Sequence, residues 1–217
     1  MYPRIKICCI ASRKEAELAI SFGASAIGLV GSMPSGPGPI SDELICEIAK
    51  SVPPPIATFL LTSETVSKNI IAHHYRTNTN TIQIVDELTD RSYYELRKNI
   101  PAVKLVQVIH IMDQDSVREA LEISEYVDAL LLDSGNPKLQ VKELGGTGRV
   151  HNWKISREIV QQSKVPIFLA GGLNSLNVKQ AIQEVQPYGI DLCSGVRSNG
   201  LLDPFKLEAF FTAILKS

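Results

Sequence analysis

No apolar run in these 217 residues approaches the roughly 20 that a membrane-spanning helix needs, so no membrane association is expected. Nor is there an excess of one charge. Lys and Arg number 22 against 23 Asp and Glu, a net charge of −1, which leaves no electrostatic footprint for nucleic acid. The four cysteines, Cys8, Cys9, Cys46 and Cys193, form no spaced pair or Cys/His set of the kind zinc requires, so no metal site is expected. The opening MYPRIKICCI passes almost at once into a strand pattern without the apolar core of a signal peptide, which sets an expectation of a cytoplasmic protein without structural disulfides. Each thiol is then either core filler or chemistry, and its position decides which.

What the chain does contain is a rhythm. Short apolar runs at Ile5–Ile10, Ala26–Val30, Ile56–Leu61, Thr81–Val85, Lys104–Ile111, Ala129–Asp133, Ile167–Ala170 and Ile190–Cys193 read as strands. Helical spacing falls between them, over Arg13–Phe22, Ser41–Ser51, Ser63–His74, Asp90–Asn99, Asp113–Ser124 and Trp153–Ser163, from Asn177, and over Asp203–Leu215. Strands such as ALLLD have no polar face and must be covered on both sides. Eight such units in one chain of this length predict a single-domain (β/α)8 TIM barrel over residues 1–217. The runner-up, a doubly wound open sheet, wants a Gly-x-Gly-x-x-Gly turn after its first strand, where CCIASR stands instead.

A barrel gathers the C-terminal ends of its strands at one mouth, where its chemistry is expected. Gly171 and Gly172 end the seventh strand there, Gly195 follows the eighth, and GGTG at residues 145–148 follows the sixth. Each alone has the simpler reading of a strand end or flexible loop. Together they point to a phosphate site, since glycine lets backbone N–H groups approach an anion closely. Strand alternation sends only one of the adjacent thiols inward; Cys8 shares a face with Lys6 and Ile10, and Cys9 is expected against the helices. Asp133 either faces the mouth as a functional carboxyl or caps the loop that follows. His73 and His74 are expected on an exposed helix surface and His151 in solvent. Trp153 is expected to pack at a helix start, and Cys46 and Cys193 to be small buried apolar groups.

Six segments, KICCI, ALLLDS, GGTGRVHNW, PIFLAGGLNSLNV, PYGIDLCSGV and GLLDPFKLEAF, resemble in order and spacing those of the phosphoribosylanthranilate isomerases of tryptophan biosynthesis. The resemblance runs from the first strand to the last helix and is strongest from Ala129 onward. It implies an Amadori rearrangement of N-(5′-phosphoribosyl)anthranilate to 1-(2-carboxyphenylamino)-1-deoxyribulose 5-phosphate. It implies no cofactor or metal, no partner beyond the small-molecule phosphosugar, and a monomer or homodimer. On this resemblance Asp133 is the general acid that opens the sugar ring and Cys8 the general base that removes the C2′ proton. Gly146, Thr147, Gly148, Gly171, Gly172, Ser194 and Gly195 hold the phosphate and Gln83 contacts the rest of the substrate, while His110 and Arg197, where the chain departs from the family, are the expected replacement partners for the substrate carboxylate.

The resemblance breaks on the anthranilate side. Gly38 stands where the family carries an arginine for the substrate carboxylate. Residues 83–86, QIVD, stand where Gln-Leu-His-Gly is usual, Gln107 stands for a lysine, His110 lies near a usual arginine, and Arg197 replaces a common glutamate. The alternative these departures raise is a related barrel that acts on, or only binds, another phosphosugar.

Overall fold

The computed structural model describes residues 2–136, 139, 141–144 and 148–215. Strands β1 (Arg4–Ile7), β2 (Ala26–Val30), β3 (Ala57–Thr62), β4 (Thr81–Ile84), β5 (Lys104–His110), β6 (Ala129–Asp133), β7 (Ile167–Leu169) and β8 (Gly189–Leu192) pair in parallel and close into a barrel in chain order. Between and after them run α1 (Arg13–Ser21), α2 (Asp42–Ser51), α3 (Ser67–Thr77), α4 (Tyr93–Asn99), α5 (Asp115–Ser124), α6 (Trp153–Gln162), α7 (Val178–Val185) and α8 (Pro204–Leu215). A short antiparallel ribbon, β9 (Arg197–Ser198) with β10 (Leu201–Leu202), precedes α8 and has no counterpart in the strand rhythm. No described helix is long and apolar enough to cross a membrane.

The apolar strands divide into two buried layers, as covering on both faces requires. Ile7, Leu29, Leu60, Ile84, Leu130 and Leu132 point out against the helices. Val30, Phe59, Leu61, Val108, Leu131 and Phe168 fill the barrel itself. By the same alternation Asp133 continues the inward row of Ala129 and Leu131, which brings its carboxyl to the mouth.

The alternation fails at one place, after β1. Cys9 has φ +61°, the left-handed conformation that a side chain seldom adopts, and the chain turns there. Ile10 consequently joins the outer layer, not the inward row with Lys6 and Cys8. Cys9, expected against the helices, lines the cleft at the mouth instead.

Local hydrogen bonding explains where helices begin. Ser12 caps α1, accepting from the Glu15 N–H at 3.2 Å, while the Glu15 carboxylate accepts from the Ala11 N–H at 2.9 Å. Helices α3 and α4 start later than the apolar pattern suggests because Asp90 holds both approaches as loops. Its carboxylate accepts from the N–H and hydroxyl of Ser67 at 2.9 and 2.6 Å and from the Ser92 N–H at 3.1 Å.

Candidate active site

At the mouth lies a solvent-open cleft. Cys8, Gln83, Asp133 and Asp191 reach it from β1, β4, β6 and β8, and the turns after β6, β7 and β8 wall one side. In barrel order β1 and β6 are separated by β8 and β7, so the glycine turns occupy the arc between the thiol and the carboxyl.

Cys8 is buried directly beyond β1, its N–H bonded to the Leu192 carbonyl at 2.7 Å. Room for its sulfur comes from Gly28 on β2: a Cβ there would lie 2.8 Å from Cys8 Sγ and 3.0 Å from Lys6 Nζ. One glycine thus brings the thiol and the ammonium onto the same small patch. Lys6 is wholly buried, bonded to Asp191 at 2.8 Å and set 5.2 Å above the centre of the Phe59 ring. Burial would strip its proton, but the charge of Asp191, helped by Cys8 and Cys9, outweighs burial and holds the ammonium above the ordinary lysine range. Cys8 titrates below the usual thiol value. The Cys9 thiol beside it favours the thiolate most, burial opposes, and the Lys6 charge tips the balance further down.

Asp133 is shifted the other way. Burial raises its pKa above the usual carboxyl value, and Asp191 adds to this, while the Ser134 N–H, at 2.7 Å, and His110 oppose. The expectation that it caps the next turn is met as well, through that same Ser134 N–H.

The glycine turns converge through close backbone contacts. A Cβ on Gly195 would lie 2.0 Å from the Leu173 carbonyl oxygen, and one on Gly172 would lie 2.9 Å from that of Gly148. Gly148, Gly171 and Gly172 have φ of +68°, +84° and +63°, conformations that suit glycine. Asn177 and Asn174 fix the turn after β7 by donating to the Gly172 carbonyl at 3.0 and 3.3 Å. Ser194 lines the cleft beside Gly148, where a Cβ would be 3.8 Å from its hydroxyl. Gly146 and Thr147 lie outside the described residues.

Gln83 lines the cleft with its Oε1 buried and without a hydrogen-bond partner among the described residues. His110 and Arg197 are not among the lining residues. His110 is bonded to the Val85 carbonyl at 3.0 Å and packs against Gly135. Arg197 is occupied as a brace, donating to Glu15 at 2.9 and 3.1 Å, to the Gly200 carbonyl at 2.9 Å, and to the carbonyls of Cys8 and Cys9 at 3.2 and 2.5 Å. Its sequence position at the end of the eighth unit suggested ligand contact; its action is to hold the end of β1. Asp191, which sequence reasoning passed over, carries a readable signal as an aspartate within an apolar strand, and its partner is Lys6, which the sequence already places on the face of Cys8.

Other expectations change on the same ground. His73 and His74 are buried; His73 bridges the Thr62 hydroxyl at 2.9 Å and Asp42 at 3.0 Å, so it ties α3 to β3 and α2. His151 is bonded to the Ser156 hydroxyl at 2.7 Å, and burial lowers its pKa to about 4. Trp153 packs, buried, at the start of α6 as expected. Cys46 and Cys193 are only partly buried. Among the described residues, no cluster of three or more His, Cys, Asp or Glu is arranged to hold a metal ion.

Residues 5–213 match the family model for N-(5'phosphoribosyl)anthranilate (PRA) isomerase. N-(5'-phosphoribosyl)anthranilate isomerase 2 of Methanosarcina mazei is 35% identical, over 95% of this chain and 92% of its own. The N-(5'-phosphoribosyl)anthranilate isomerase of Methanosarcina acetivorans is 31% identical, over 97% and 92%. Among solved structures, the N-(5'-phosphoribosyl)anthranilate isomerase of Pyrococcus furiosus superimposes over 100% of both chains with a TM-score of 0.82 at 27% identity.

Proposed function

The chain belongs to the N-(5'-phosphoribosyl)anthranilate isomerase family, and from that premise we propose that Cys8 and Asp133 carry the rearrangement that this family performs in tryptophan biosynthesis. The observation that carries the assignment of roles is a pair of opposed shifts in one cleft. An ordinary thiol, at 9.0, is protonated at neutral pH, and an ordinary aspartate, at 3.8, is ionised. The reaction needs the reverse, a thiolate to take a proton and a carboxylic acid to give one, and each group moves in the required direction.

The substrate phosphate sits in the turns after β6, β7 and β8, which places the ribose between the two groups. Asp133 gives its proton to the ring oxygen as the C1′–O bond breaks, leaving a Schiff base at C1′. Cys8 takes the proton from C2′, and the electron pair released forms the C1′–C2′ double bond of the enolamine. Ketonisation at C2′ with protonation at C1′ completes an isomerisation in which no atom is gained or lost. Lys6 acts by positioning charge beside Cys8 and does not itself touch the substrate.

Two expected results follow. Lys6→Met removes the charge that favours the Cys8 thiolate, so the rise of kcat/KM with pH moves to higher pH; an unchanged profile would remove Lys6 from the account. Losing one member of a buried ion pair also costs about 3–5 kcal/mol of stability, measurable as a lowered urea midpoint. Gly195→Ala drives a methyl group into the Leu173 carbonyl, 2.0 Å from the ideal Cβ position, and forces the two phosphate turns apart. Inorganic phosphate, a competitive inhibitor on this account, is expected to weaken at least tenfold in that variant, about 1.4 kcal/mol or more.

The chain's place in metabolism is tested by expressing it in a tryptophan auxotroph that lacks this isomerase. Growth without tryptophan is the expected result, and no growth despite soluble protein is the contrary one.

A further inference from the structure

Cys9 and Cys193 meet at the mouth with their sulfurs 2.7 Å apart, and both are free thiols. The contact is built by the backbone. Cys8 bonds to the Leu192 carbonyl and so extends the pairing of β1 with β8, in which Ile7 stands beside Leu192. The residues beyond, Cys9 and Cys193, flank the same seam. Neighbouring strands run about 4.8 Å apart, inside the roughly 4.4–6.8 Å between Cα atoms that a disulfide spans. The left-handed φ of +61° at Cys9 then swings its side chain across the seam. Gly38 makes way, since a Cβ there would lie 2.7 Å from the Cys9 Cβ and 3.2 Å from its Sγ. The Cys9 thiol also donates toward the Pro37 carbonyl at 3.6 Å, and Arg197 grips the Cys9 carbonyl from the other side. Cys8 aims elsewhere, at the Gly28 patch beside Lys6.

We infer that Cys9 and Cys193 are a redox modification site, closing to a disulfide when the protein meets a small-molecule disulfide. Cys193 is the entry point because it is the more exposed and lines the open cleft. Its thiolate attacks one sulfur of R–S–S–R, expels RS⁻ and leaves a mixed disulfide. The Cys9 sulfur then attacks the Cys193 sulfur, its proton passing to the departing thiolate. The Cys9–Cys193 bond forms and the second RSH leaves. Overall two protein thiols are oxidised and one R–S–S–R is reduced to two RSH. The expectation that structural disulfides are absent is unaffected, since this bond needs an oxidant and reverses with thiol. Cys193 directly precedes Ser194, so the bond would tie the phosphate turn to the strand that bears the base.

The test is to incubate the full chain with glutathione disulfide, block remaining thiols, and map the peptides. Two of the four thiols are expected to be lost, with a mass decrease of about 2 Da that dithiothreitol reverses. Trypsin leaves Cys8 and Cys9 together in residues 7–13 and Cys193 in residues 180–197, so fragmentation between Cys8 and Cys9 must assign the partner. The link is expected to persist in Cys8→Ala and to vanish in Cys193→Ser and in Cys9→Gly, where glycine suits the local φ and preserves the fold. Four retained thiols, a link through Cys8, or glutathione left on Cys193 as the final product would each overturn the proposal. Because the readout is covalent, it is independent of whether the protein turns over any substrate.

Discussion

Cys8→Ala is expected to lower kcat by about 10²–10⁴-fold, the range a positioned general base contributes, which is about 2.7–5.4 kcal/mol of transition-state stabilisation. KM should change little, because the proposed phosphate turns belong to other strands. The fold should persist, since alanine fills part of the space of a small buried side chain and its backbone still accepts from Arg197 and donates to the Leu192 carbonyl. The measurement is steady-state kinetics with circular dichroism beside it. Full activity in a folded Cys8→Ala protein would remove the thiol from the mechanism. Cys9 could not stand in, because its sulfur is directed to Cys193 and Pro37 and its pKa is driven up, first by the contact with Cys193, then by Cys8 and by burial.

Asp133→Asn carries the second large effect. The amide has nearly the shape of the carboxyl and can still accept from the Ser134 N–H, so packing survives, but its N–H protons are far too weakly acidic to be transferred to the ring oxygen. A loss of about 10²–10⁴-fold in kcat is expected here too. The wild-type protein should show a bell-shaped kcat/KM. Activity rises as Cys8 loses its proton, at a pH below the ordinary thiol value, and falls as Asp133 loses its own, above the ordinary carboxyl value. Asp133→Asn should abolish the falling limb in whatever activity remains. A falling limb that survives at the same pH would assign it to another group.

The barrel was legible because its signal is periodic and repeated. Apolar strands without a polar face, such as Leu130–Leu132, leave few architectures open, and the parallel order then fixes which end bears the chemistry. Asp133 and Cys8 were legible as strand-end residues on inward rows. The glycine turns at the mouth were legible from Gly171, Gly172 and Gly195, and the approach of Gly195 to the Leu173 carbonyl leaves no room for a side chain there.

What escaped the sequence depended on tertiary geometry. The alternation argument placed Cys9 among the helices because it assumed an extended backbone, and a left-handed φ at a non-glycine residue leaves no mark in the pattern. Arg197 looked like a ligand group because it ends the eighth unit; only the fold brings Glu15 within 2.9 Å of it from 182 positions away. The buried pair of Lys6 and Asp191 likewise joins residues 185 apart. The missing arginine at Gly38 has a local cause that the sequence does not display: with φ +86° and Cys9 against it, the position admits no side chain.

This cleft isomerises phosphoribosylanthranilate with glycine, not arginine, at position 38. The most direct measurement mixes purified protein with freshly prepared phosphoribosylanthranilate and follows the ketose product by chromatography and mass. Stoichiometric conversion to 1-(2-carboxyphenylamino)-1-deoxyribulose 5-phosphate is expected, slowed about 10²–10⁴-fold in Cys8→Ala. Absence of that product from folded protein that still binds inorganic phosphate would contradict it.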